Sequence, residues 1–150
     1  MKSNLVSIGT VSELDSAWAA GFIDGEGCIT LHRNTLNGYV LRLQVSSSTI
    51  EPLERLKEIF GGRLNGPYAN KGRYKDSYNR KPMWVWNNCG ENAQAALRLI
   101  RPYMACKGEQ ADLALEYQVG PRAGRGHTLT AEQRAEKERI REALRDAKRN

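Results

Sequence analysis

Two acidic residues, Asp24 and Glu26, follow a run of small and apolar residues and are separated by Gly25. Residues 14–24 contain no proline, so they can form a helix that carries both acids at its carboxyl end. The helix macrodipole disfavours acids there unless a cation is bound. Carboxylate and carbonyl oxygens are the ligands that Mg²⁺ prefers. The pattern alone leaves two interpretations equally open. One is a magnesium site, and the other is that Asp24 is a helix-end hydrogen-bonding group and Glu26 a solvated loop acid.

A stripe of small residues lies on the same predicted helix, because Ala17, Gly21 and Gly25 are spaced by four residues. Glycine in a helix costs roughly 0.8–1 kcal/mol relative to alanine, and only close packing of another helix would offset that cost. We therefore expect the stripe to be a helix-packing surface. Packing inside the chain's own core is the alternative.

The elements that position these residues follow from hydrophobic periodicity and breakers. The sequence predicts an α+β order: a helix at 14–24 capped by Ser12, strands at 28–34 and 39–46, a second helix capped by Ser48 or Thr49, strands at 62–68 and 81–88, helices at about 93–100 and 110–117, and a last helix with a capping box of Thr130 and Gln133.

Residues 19–27, with the sequence AAGFIDGEG, resemble the LAGLIDADG motif over its whole length. The predicted order over residues 12–118 is also similar to the αββαββα core of the LAGLIDADG homing endonucleases. The resemblance implies an antiparallel DNA-binding sheet. It also implies a site-specific endonuclease that hydrolyses double-stranded DNA at a long near-palindromic site and so promotes the mobility of an intron or intein. Residues 1–120 would form this core, and residues 121–150 a basic linker and an appended C-terminal helix.

The resemblance also implies roles for individual residues. Glu26 stands where the family has its catalytic, metal-binding acid, and the Gly25 carbonyl stands where it has a backbone ligand for Mg²⁺. Lys107 is similar to a lysine that some relatives place near the cleavage centre, although a plain surface lysine is the open alternative. Where close relatives carry a long polar and then a basic side chain, this chain has Ser46 to Ser48.

The motif occurs once in the chain, and the resemblance therefore implies a homodimer formed through Ala17, Gly21 and Gly25. No organic cofactor is implied. A non-cleaving RNA maturase or DNA-binding regulator on the same scaffold is the alternative function. An unrelated metal nuclease is less favoured, because His32 and His127 are the only histidines.

A DNA-contacting surface is predicted from the alternation in the first two strands, where apolar residues face the core and polar ones point outward. Arginine and glutamine can make bidentate contacts with base edges in the major groove. A solvated sheet face is the alternative. The outward residues are Thr30, His32, Asn34, Arg42, Gln44 and Ser46. The connector that follows adds predicted phosphate contacts from Lys71, Arg73, Lys75, Arg80 and Lys81.

The overall composition agrees with a polyanionic partner, because 23 Lys and Arg against 17 Asp and Glu give a net charge of +6. The three cysteines are far apart and form no CxxC pair, so neither a disulfide framework nor a zinc cluster is predicted. The sequence lacks a membrane-spanning apolar stretch and a signal-peptide pattern. We expect an intracellular protein, cytoplasmic or, if encoded by an organellar intron, organellar.

Overall fold

The computed structural model of the chain describes residues 11–33, 38–69, 81–120 and 128–149. Within these ranges the chain forms four strands and five α-helices. In chain order they are α1 (Glu13–Glu26), β1 (Gly27–Arg33), β2 (Tyr39–Ser47), α2 (Glu51–Phe60), β3 (Arg63–Tyr68), β4 (Met83–Cys89), α3 (Gly90–Ile100), a 3-10 turn (Arg101–Tyr103), α4 (Gly108–Glu116) and α5 (Ala131–Ala147). The predicted α+β class and its αββαββα order with extra C-terminal helices are confirmed.

The four strands form one antiparallel sheet in the order β1-β2-β4-β3. Strand β2 is central and pairs with β1 on one side and with β4 on the other. Since neighbouring residues of a strand point to opposite faces, the sheet has one apolar face and one polar face. The apolar face is covered by α1, α2 and α3, all of which contact the sheet.

The core lies between this apolar face and the helices. The apolar residues on the core side of β1 and β2 are buried, as the alternation predicted, namely Ile29, Leu31, Leu41, Leu43 and Val45. Burying one such side chain contributes about 1.5–3 kcal/mol, so their alternation fixes the register of both strands. The helices add Ala19, Ala20, Ile23, Leu53, Leu56, Phe60, Ala93, Ala96, Leu97 and Ile100.

The caps of α1 and α5 are those predicted, but the predicted cap of α2 is wrong. Neither Ser48 nor Thr49 caps that helix; its N-cap is Ile50, which already has helical angles and gives no side-chain hydrogen bond. The reason is the turn after β2, in which the Ser47 hydroxyl accepts a hydrogen bond from the backbone N–H of Thr49 at 3.0 Å. That turn carries the chain past both polar residues before the helix begins.

Helix α5 packs on the core through Ile140 and Leu144, which are both buried. One turn earlier, the buried Lys137 donates to the carbonyl oxygen of Gln118 at 2.8 Å and to the hydroxyl of Tyr117 at 3.2 Å. Desolvation lowers the pKa of Lys137 and, together with the charge of Tyr39, raises the pKa of Tyr117 to about 12. Lys137 thus connects α5 by hydrogen bonds to residues 117 and 118, which directly follow α4.

None of the helices within the described ranges is long and apolar enough to span a membrane.

Candidate active site and nucleic-acid interface

Glu26 is the last residue of α1, and Gly27 begins β1 directly, so no loop separates helix from strand. The helix therefore runs two residues beyond its predicted end. A Cβ atom at Gly27 would lie 2.7 Å from the carbonyl oxygen and 2.8 Å from Cγ2 of Ile23, so only glycine allows this close exit. The exposed Glu26 side chain has no hydrogen bond or ion pair among the described residues.

Asp24, in contrast, is fully engaged. Its carboxylate accepts hydrogen bonds from the backbone N–H of Ala105 at 2.6 Å and of Lys107 at 2.9 Å. Burial would raise the pKa of Asp24, but these hydrogen bonds, with that of Cys106 and the charge of Lys107, outweigh it and lower the pKa. The hydrogen-bonding role considered for Asp24 at the helix end is therefore the one that the structure shows.

Lys107 lies at the same end of α1 as Glu26. Its ammonium group donates to the backbone carbonyl oxygen of Asp24, two residues before Glu26. The turn that holds the lysine is supported from its other side by a bidentate pair between Arg101 and Asp112, with N···O distances of 2.7 and 2.9 Å. The two residues for which the resemblance implied a catalytic role therefore both lie at the carboxyl end of α1.

The donors for a metal at this place are few. Gly25 lies in the last turn of α1, where helix carbonyl groups have no intrahelical partner, and Glu26 follows with a carboxylate that no other described residue binds. No group of three or more His, Cys, Asp or Glu residues suited to a metal occurs among the described residues. One carboxylate and one carbonyl oxygen fit Mg²⁺, which commonly completes its octahedron with waters and substrate phosphate.

The stripe of Ala17, Gly21 and Gly25 lies on the exposed side of α1, opposite the buried Ala19, Ala20 and Ile23. A Cβ atom added at Gly21 or Gly25 would meet no atom within 4 Å. Leu14, one turn before Ala17, is 83% exposed. Packing of this stripe inside the chain's own core, the alternative considered above, is therefore wrong for the described residues.

The polar face of the sheet carries the residues predicted to point outward. Thr30 lies opposite Arg42, and Cys28 opposite Gln44, across β1 and β2. His32 is exposed, and Thr30, Arg42, Gln44 and Ser46 are half-buried. The alternation that predicted this face is correct.

Further polar residues share this face but were not predicted. Gln44 lies opposite Asn87 of β4, which in turn lies opposite Arg63 of β3. The alternation of Trp84 and Trp86 with polar or smaller residues was the signal that could have identified Asn87. Arg63 carries no such signal, since it begins a strand that is exposed over most of its length.

Several predicted DNA contacts lie outside the described residues, namely Asn34, Lys71, Arg73, Lys75 and Arg80. Lys81 is described and is exposed just before β4.

Comparison with solved structures finds this fold in homing endonucleases. I-CvuI bound to its target in the presence of calcium has 23% sequence identity and a TM-score of 0.59, with 91% of this chain and 96% of that chain covered. I-CvuI with uncleaved DNA in the presence of magnesium gives 24% identity, a TM-score of 0.55 and the same coverage. The archaeal intron-encoded I-Vdi141I, complexed with DNA, gives 16% identity, a TM-score of 0.50, and coverage of 69% and 66%.

No protein-family model and no curated protein matches the chain. The chain has the fold of the homing endonucleases, and the resemblance that residues 19–27 indicated is confirmed at the level of that fold.

Proposed function

We propose that this chain is a site-specific endonuclease that cuts both strands of duplex DNA as a homodimer and depends on Mg²⁺. The observation that carries the proposal is the carboxylate of Glu26, which has no partner among the described residues. It lies at the same end of α1 as Lys107 and at the start of a strand with a polar outer face. The DNA complexes of homing endonucleases with the same fold support it.

The homodimer is supported by the open stripe on α1. Gly21 and Gly25 leave room for the backbone of another helix, and nothing in the described chain occupies that room. One chain supplies one free acid at the helix end. Cutting both strands then requires a second acid, which a second copy packed stripe to stripe would bring to the opposite strand.

Magnesium is supported by the donor set and by the divalent ions present with the similar structures. Glu26 and the Gly25 carbonyl would hold the ion, while the hydrogen bonds of Asp24 hold the segment of Ala105 and Lys107 beside them. When bound, Mg²⁺ would polarise the scissile phosphate and help to activate the attacking water.

Lys107 supplies a positive charge near the reacting phosphate in this proposal. Its bond to the Asp24 carbonyl fixes the ammonium group at the end of α1, so the charge is in place before DNA binds. A preorganised cation stabilises the negative charge that develops in the transition state without reorganisation at the moment of reaction.

Recognition is assigned to the polar sheet face. Thr30, His32, Arg42, Gln44 and Ser46 would contact bases in the major groove, and Lys81 would contact the backbone. Asn34 and the basic residues Lys71, Arg73, Lys75 and Arg80 keep the same predicted roles.

The test is a selection for cleaved sites from a random duplex library, with wild type and Glu26→Gln, each with and without Mg²⁺. A near-palindromic site enriched only by wild type in Mg²⁺ is the expected result. DNA binding without any cleaved site would instead favour the non-cleaving regulator. The turn after β2 is the feature that would favour binding without cleavage. Ser47 stands where close relatives have long polar or basic groups, and its hydroxyl accepts a hydrogen bond from the backbone N–H of Thr49.

A further inference from the structure

A cleft of about 410 Å³ lies between α5 and the polar face of β1 and β2. Six basic side chains contribute to its lining, namely His32, Arg33, Arg42, Arg141, Arg145 and Lys148. No acidic residue of the described chain lines it. The cleft is therefore the place where the C-terminal helix and the proposed base-reading face meet, and its charge is of one sign.

Among the described residues, Glu138 compensates only part of this charge. Glu138 accepts a hydrogen bond from Tyr39 and pairs with Arg141 at 2.7 Å and, more distantly, with Arg33 at 3.9 Å. Arg42 and Arg145 have no ion pair within the described residues. The Nε atom of Arg42 is also buried and makes no hydrogen bond there. The guanidinium groups of Arg42 and Arg145, unpaired within the described residues, give the cleft a positive charge that is suited to binding an anion.

The direction of α5 indicates the shape of that anion. Glu138 lies beside Arg33 at the end of β1, whereas Lys148 lies 3.3 Å from the Cys28 sulfur at its beginning, so the helix runs antiparallel to the strand. From Arg141 to Lys148 the helix rises about 10 Å at about 1.5 Å per residue, which matches about three base-pair steps of about 3.4 Å. An extended polyanion fits this arrangement better than a single small ion.

We propose that the cleft binds the sugar-phosphate backbone of duplex DNA, with Arg145 and Lys148 contacting neighbouring phosphates alongside strand β1. The inference rests on the proposed function, because DNA lying on the sheet face brings its backbone to this cleft. Helix α5 is then one wall of the DNA interface. Its contribution is independent of base sequence, since phosphates carry none of the sequence information.

The test uses two double variants. The cleft variant carries Arg145→Gln and Lys148→Gln, and the control variant carries Arg98→Gln and Arg134→Gln. Both pairs remove the same charge, but Arg98 and Arg134 are exposed and do not line the cleft. The measurement is the affinity for a mixed-sequence DNA duplex between roughly 50 and 200 mM salt without Mg²⁺. We expect the slope of log affinity against log salt to become shallower by about 1.8 in the cleft variant, about 0.9 for each lost phosphate contact, and to stay unchanged in the control.

The melting temperature without DNA separates this role from a structural one. Because neutralisation removes repulsion within the cleft, the cleft variant should melt no lower than wild type. An unchanged slope in the cleft variant, or an equal change in the control variant, would overturn the inference. The same titration with duplex RNA is a further check: if the cleft variant lost affinity for RNA but not for DNA, the inference would also be overturned. The salt titration is made without Mg²⁺ and is separate from the library selection for cleaved sites. A shallower slope with no cleaved site in that selection would support the cleft and refute the nuclease, whereas cleaved sites with an unchanged slope would do the reverse. Absence of DNA binding by wild type would overturn both.

Discussion

Lys107 binds Asp24 twice, through a backbone N–H that lies 2.9 Å from Oδ1 and through an ammonium group that donates to the carbonyl oxygen of the same residue. The two residues are 83 positions apart in the chain. Asp24 therefore holds the segment that carries Lys107 against the end of α1. The two side chains can therefore be tested separately, Asp24 by its effect on stability and Lys107 by its effect on the cleavage rate.

Replacing Asp24 by Asn should cost about 1–3 kcal/mol of unfolding free energy at neutral pH, because charge-assisted hydrogen bonds to two backbone N–H groups are lost or weakened. The pKa of Asp24 is lowered on folding from its ordinary value of 3.8, so its contribution is present above that pH and is lost as the pH falls through the lower folded value. Denaturant unfolding should show the difference from wild type shrinking below pH 3.8. The exposed Asp146→Asn is the matched control, and an equal loss in both variants would contradict the assignment.

Replacing Glu26 by Gln keeps the shape of the side chain and removes its charge. Single-turnover cleavage in Mg²⁺ should fall by more than about 100-fold, since even groups that only orient metal ligands are worth about 10–100-fold. Gel-shift affinity for the same duplex in Ca²⁺ should persist. Glu58→Gln, an exposed acid on α2, should leave both measurements unchanged. Near-normal cleavage by the Glu26 variant would place the chemistry elsewhere.

Lys107→Met removes the ammonium group and leaves the backbone N–H that Asp24 binds. We expect cleavage to fall by about 10²–10³-fold, as for the loss of one preorganised donor, while stability stays within about 1 kcal/mol of wild type. Rapid-quench cleavage rates and denaturant melts on the same preparation test this, with Lys57→Met as the control. A loss of stability as large as that of Asp24→Asn would make Lys107 structural.

Two substitutions at Gly21 test the stability of the single chain and the strength of the dimer separately. Gly21→Ala should stabilise the isolated chain by up to about 1 kcal/mol, because alanine favours the helix and no atom lies within 4 Å of the new methyl group. Gly21→Leu should weaken self-association by about 1–3 kcal/mol through overpacking. Analytical ultracentrifugation with and without DNA measures this. A wild type that stays monomeric on DNA, or a leucine variant that dimerises normally, would rule out this interface.

What the sequence predicted well was local. The Ser12 cap of α1, the alternation of β1 and β2, and the capping box of α5 depend on residues a few positions apart. The predicted N-cap of α2 was wrong because the side chain of Ser47, rather than that of Ser48 or Thr49, accepts the hydrogen bond that shapes the turn.

Features that depend on distant contacts could not be predicted. Arg145 and Lys148 occur among acidic residues of an amphipathic helix, so their pattern is that of a solvated surface. Only the docking of α5 beside β1 turns them toward Arg42. Lysine is rarely buried, and nothing in the sequence around Lys137 indicates that carbonyl groups after α4 would receive it.

The direct passage from α1 into β1 fixes where the DNA would be cut relative to where it would be read. Thr30 and His32 follow Glu26 by four and six residues, which corresponds to about 13 and 20 Å at about 3.3 Å per residue. At about 3.4 Å per base pair, these side chains would meet bases about four and six steps from the scissile phosphate. Substitutions along the strand would therefore change which bases are preferred and leave the cleavage position unchanged.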